Sequence, residues 1–168
     1  MSSPAPLLAM FFALSLGAAA MWWKVLQVLE ALAKYGRESR VILSAGRADA
    51  MLPLLIGAVA AIIILVVALV RRHRPQADLV TLILSALLPG DVVLALLDRP
   101  VPEVARLGLI LAITTAVASL IWLIALRRGL TAVPRIPFAA ATILVVMTVI
   151  GAATVHCYHV LREIAMGG

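Results

Sequence analysis

The sequence predicts an all-α integral membrane protein, a bundle of about five transmembrane helices with the third broken or re-entrant. Three observations carry that expectation. The chain has 168 residues, of which 64% are hydrophobic and 13% charged, with a mean hydropathy of +1.15. Soluble domains are about half apolar and about a quarter charged, so this chain has too little polar surface to cover a water-facing globule. The charges are also segregated: none falls within Met1 to Trp23, Ala50 to Val70, Leu79 to Gly90, Leu107 to Leu126, or Ile136 to Val155. A helix of about 20 apolar residues crosses the ~30 Å hydrocarbon layer, and four of these five runs reach or approach that length. Finally, the alternating strands of about ten residues from which a transmembrane barrel is built do not occur.

The first span is expected at 5–35, directly after Pro4. Its apolar core LLAMFFALSLG and the following Ala18-Ala19-Ala20 imitate a signal peptide, but no positive segment precedes them, and the run is read as an uncleaved span. The apolar stripe continues beyond Lys24 through Val25, Val28, Leu29 and Leu32, while Gln27, Glu30 and Lys34 line another face. Glu30 and Lys34 stand at i,i+4 in the favourable order, and Gly36 is placed to end the helix. At 1.5 Å per residue such a helix is about 46 Å long and must protrude from the bilayer or bend onto its surface. Trp22 and Trp23 mark the expected interface crossing.

A polar stretch, 37–49, separates this span from the second at 50–70. The third segment, 79–97, contains Pro89-Gly90-Asp91 and is expected to bend there. Spans four and five are expected at 104–127 and 137–163, with prolines at the edges of short loops. Span four carries Gly108, Ala112, Ala116 and Ser119 along one side, a spacing that permits close helix approach in lipid. The chain reads as one polytopic unit without internal repeats.

The net charge of +6 does not indicate nucleic acid, because the basic residues gather at the ends of apolar runs. Arg71, Arg72, Arg74, Arg127 and Arg128 are placed to anchor the chain against lipid headgroups. With five spans, those five and Arg135 share one side with the N-terminus. Their density at helix ends favours that side as cytoplasmic, and the composition favours a bacterial plasma membrane. The same count brings the end of the last helix beside the extension of the first. Glu30, Lys34 and Arg162 then form an expected docking surface for a partner subunit or a second copy.

Two groups invite chemistry. Asp91 is the one carboxylate inside an apolar segment, and such acids face partners or water paths. A broken helix at Pro89-Gly90 is compatible with a transport or proton-relay role, although an N-cap at a structural elbow accounts for the same residues. His156 and His159 share a face at i,i+3, a spacing that can hold a quinone or haem edge. With Cys157, Met21 and Met51 at the same membrane face, copper(I) enters the set, but polar capping of the interface explains the histidines more simply. The single cysteine excludes an internal disulfide and a multi-cysteine metal site. No phosphate loop, nucleophile elbow or zinc spacing is present. The favoured expectation is a non-catalytic subunit of a larger membrane complex, without a cofactor. A small oligomeric transporter using Asp91 and a redox component using His156 and His159 are the alternatives.

Overall fold

The computed structural model describes residues 2–35, 40–71, 74–95 and 102–129, together with Ile143, Ile150, Gly151, Thr154, Val160, Glu163 and Ile164. The described residues form four helices: α1 (Ala5–Tyr35), α2 (Arg40–Val70), α3 (Leu79–Ala95) and α4 (Pro102–Arg127). A two-residue parallel bridge joins β1 (Ser2–Ser3) to β2 (Arg74–Pro75), tying the start of α1 to the connection between α2 and α3.

α1 has the expected bounds and α4 begins two residues before its expected start. α2 differs, because it begins at Arg40 rather than near residue 50 and reaches 31 residues. The stretch read as a polar loop contains Val41-Ile42-Leu43, Ala45 and Ala48, and no proline occurs before Pro53. With no proline between Arg40 and Pro53 to stop it, α2 runs outward past its apolar portion. Packing supports this extension: a Cβ added at Gly46 would lie 3.3 Å from both γ-methyls of Val28 on α1.

α1 and α2 form an antiparallel hairpin whose closest approach lies at Gly17 and Gly57. A Cβ at Gly17 would come within 2.7 Å of the Pro53 carbonyl oxygen and 3.1 Å of Gly57 Cα. A Cβ at Gly57 would come within 2.8 Å of the Ala13 carbonyl oxygen. Backbones this close leave room only for hydrogen, the contact by which helices associate in lipid. Pro53 lies inside α2 without ending it.

α3 is a correction to the expected break. It runs uninterrupted from Leu79 through Pro89-Gly90-Asp91 to Ala95. Proline removes one backbone hydrogen bond and crowds the preceding turn, a cost a membrane helix tolerates when its neighbours compensate. With 17 residues α3 is about 25 Å long, short of the ~30 Å hydrocarbon thickness.

α4 packs antiparallel to α1 through small residues. Ala105, Gly108, Ala112, Thr115, Ala116 and Ser119 are buried, whereas Leu107, Ile110, Ile113, Val117, Leu120 and Ile121 are exposed. Trp22 lies against Gly108, where a Cβ would come within 2.2 Å of the indole ring. α4 ends on Gly129, whose φ of 68° and N–H bond to the Leu126 carbonyl form a left-handed cap.

Among the described residues three helices are long and apolar enough to cross a membrane: Ala5–Lys34, the Asp49–Val70 part of α2, and α4. The segment expected as a fifth span lies largely outside the described residues. Its six described positions are helical, as is Ile164 just beyond it, and Ile143 and Ile150 join Leu7, Phe11, Leu14 and Ala58 in one apolar cluster. A second cluster gathers Ala18, Met21, Trp22, Met51, Leu54, Ala105 and Ala112.

Candidate functional site

The polar chemistry of the described fold concentrates where α3 begins. Asp78 precedes the first residue of α3, and its carbonyl accepts the N–H of Leu82 at 3.0 Å, so it occupies the N-cap. Its side chain completes the cap: Oδ1 accepts the backbone N–H of Thr81 at 2.8 Å and also the Thr81 hydroxyl. Oδ2 accepts the indole Nε1–H of Trp122 on α4 at 2.6 Å. The residue is only 2% exposed.

A buried carboxylate is costly unless donors surround it. Here three donors converge on two oxygens, and each serves structure. An aspartate N-cap is worth about 0.5–2 kcal/mol, and a hydrogen bond to a charged group about 1.5–3 kcal/mol. The arrangement fastens the start of α3 to α4 across 44 residues of sequence. Asp78 is not among the residues expected from the sequence to carry function, although a local signal for it exists. Asp78-Leu79-Val80-Thr81 ahead of an apolar run has the form of a helix start, but nothing local in the sequence names Trp122 as the partner.

Five of the described helix hydroxyls are turned onto their own backbones. Thr114, Thr115, Ser119 and Thr154 each donate to the carbonyl four residues earlier, and Ser85 donates to that of Leu82. This is the local satisfaction open to serine and threonine where water is absent. Among the described residues, Ser15 Oγ, Trp22 Nε1 and Gln76 Oε1 are buried without a hydrogen-bond partner.

The residues expected to carry function are distributed as follows. Trp22 and Trp23, expected together at the interface, part company: Trp23 is 57% exposed, whereas Trp22 is 1% exposed and packs on Gly108. The missing side chain at Gly108 leaves the space that the Trp22 ring occupies. Glu30 and Lys34 are exposed on the outer end of α1, opposite the Asp78 end. Arg71, Arg127 and Arg128 are exposed at the Asp78 end, and the Arg74 backbone forms the bridge to Ser2–Ser3. Met21 and Met51, considered as copper ligands, are buried together with Trp22 and Leu54. Asp91 lies within α3, but its side chain is outside the described residues. Arg72, His156, Cys157, His159 and Arg162 are likewise outside them. Among the described residues, no three histidine, cysteine, aspartate or glutamate side chains are grouped to hold a metal.

The described residues are all but entirely helical, and three of their helices are long and apolar enough to cross a membrane. No family model matches the chain, and neither a curated protein nor a solved structure is significantly similar to it.

Proposed function

We propose that this chain is a non-catalytic integral subunit of a larger membrane complex, contributing packing and docking surface in a bacterial plasma membrane with its N-terminus on the cytoplasmic side. The observation that carries this reading is where the polar groups go. Ser85, Thr114, Thr115, Ser119 and Thr154 bond to carbonyls of their own helices, and the buried carboxylate of Asp78 is used to cap α3 and hold Trp122. Such a bundle spends its polar chemistry on holding itself together.

Further support comes from the α1–α2 hairpin. Both helices have 31 residues, about 46 Å each, and both extend at the same end of the bundle. Rigid helix beyond the hydrocarbon layer, carrying the exposed Glu30 and Lys34, is a surface suited to a partner subunit. Purification of the native protein in mild detergent tests the reading. Other subunits are expected at fixed stoichiometry, and the charge-reversed variant Glu30→Lys/Lys34→Glu is expected to lose them. A monodisperse single chain from native membranes contradicts the reading, and an assembly of this chain alone replaces the hetero-complex by a homo-oligomer.

A further inference from the structure

The end of the bundle that holds Asp78 has an unbalanced charge. Among the described residues four helix ends meet there: α1 and α3 start, and α2 and α4 finish. Helix N- and C-termini carry about +0.5 and −0.5 of a charge. The four contributions cancel in pairs, leaving the side chains to set the potential.

Those side chains are basic. Arg71 follows the last turn of α2, and Arg127 and Arg128 close α4; all three are exposed. The sequence adds Arg72 and Arg74 to the same short connection. The acid within that connection is Asp78, which is buried with both oxygens occupied by Thr81 and Trp122. The opposite end is mixed, with exposed Lys24, Lys34 and Arg106 accompanied by exposed Glu30, Asp49 and Glu103.

Exposed aliphatic side chains lie directly beside the cations. Leu69 and Val70 precede Arg71, and Ile121 and Ile124 lie in the α4 turns below Arg127 and Arg128. A ligand for this surface therefore carries negative charge at one end and hydrocarbon immediately beside it. We propose that this face binds the phosphate headgroups of anionic phospholipid, with the acyl chains lying along the outer faces of α2 and α4. Free phosphate matches the arginines but not the adjoining apolar strips; an anionic lipid matches both.

Native mass spectrometry of the full chain, titrated with phosphatidylglycerol or with phosphatidylcholine of the same acyl chains, tests this. The wild type is expected to bind phosphatidylglycerol about tenfold more tightly, since each basic residue near an anionic headgroup adds several-fold. Arg127→Gln/Arg128→Gln is expected to bring the two lipids within about threefold, while Lys24→Gln/Arg106→Gln at the opposite end keeps the preference. Raised salt is expected to weaken the wild-type preference through screening. Equal binding of the two lipids by the wild type overturns the proposal, as does an equal loss in both double variants. Displacement of phosphatidylglycerol by inorganic phosphate at comparable concentration also overturns it, because the acyl chains then contribute nothing.

Discussion

At the scale of single residues, Asp78 and Trp122 show how this fold satisfies a buried acid. The carboxylate is kept by giving it two tasks, capping α3 through Thr81 and receiving the indole N–H from α4. Removing either partner strands the other: Trp122→Phe leaves Oδ2 short of a donor, and Asp78→Ala uncaps α3 and orphans the indole. Each change is expected to cost about 1.5–3 kcal/mol, the range for hydrogen bonds to charged groups. Asp78→Ala carries the loss of the cap in addition, about 0.5–2 kcal/mol. Thermal unfolding in detergent, arranged as a double-mutant cycle, is expected to show coupling of about 0.5–3 kcal/mol. Additive losses mean that the two side chains do not depend on each other. Asp91 drew attention in the sequence because it interrupts an apolar run, whereas Asp78 sits inconspicuously at a helix start. A cap is legible locally; a partner on another helix is not.

At the scale of elements, glycines decide how closely the helices approach, and their surroundings divide them into two groups. Gly17 and Gly57 meet across the α1–α2 crossing, and Gly108 receives the Trp22 ring. A methyl group at any of these positions would meet backbone oxygen or aromatic carbon at less than 3 Å. Gly57→Ala and Gly108→Ala are therefore expected to destabilise by about 1–3 kcal/mol, the usual cost of overpacking. Gly151 faces the Ala58 methyl at 3.8 Å, an ordinary contact, and Gly151→Ala is expected to be close to neutral. A uniform response across the three variants in thermal unfolding would contradict the crossings described. Long uncharged runs made α1 and α4 legible in the sequence, nearly to the residue. Two readings failed for an identifiable reason. Residues 40–49 looked like a loop because charges interrupt them, yet Val41 to Leu43 and the alanines sustain a helix that packs on α1. Pro89-Gly90 looked like a break, yet α3 continues through it. Local breaker signals weigh less than the helix that continues on both sides of them.

At the scale of the molecule, large apolar side chains lie outside as well as inside. Trp22, Phe11, Leu7, Leu14 and Leu54 are buried and α4 meets α1 with alanine, glycine, serine and threonine, yet isoleucine, leucine and valine cover the outside of α2 and α4. Exposed to water, aliphatic surface this continuous would drive aggregation. Against lipid tails it costs nothing, and association falls instead to close backbone contact through small residues. The segregation of charge predicted the lipid environment, and the arrangement of sizes supports it by an independent route. The proposed subunit role and the proposed lipid-binding face both depend on that environment.

The most direct test is a spin-label scan along α4 in reconstituted bilayers, from Leu109 to Ile121, in a Cys157→Ser background. Labels at Ile110, Ile113, Val117 and Ile121 are expected to be highly accessible to oxygen dissolved in the hydrocarbon and inaccessible to a water-soluble relaxant. Labels at Ala112, Thr115, Ala116 and Ser119 are expected to be shielded from both. High accessibility of Ile113 and Val117 to the water-soluble reagent, or a profile without helical periodicity, would contradict a bundle whose outer surface is lipid.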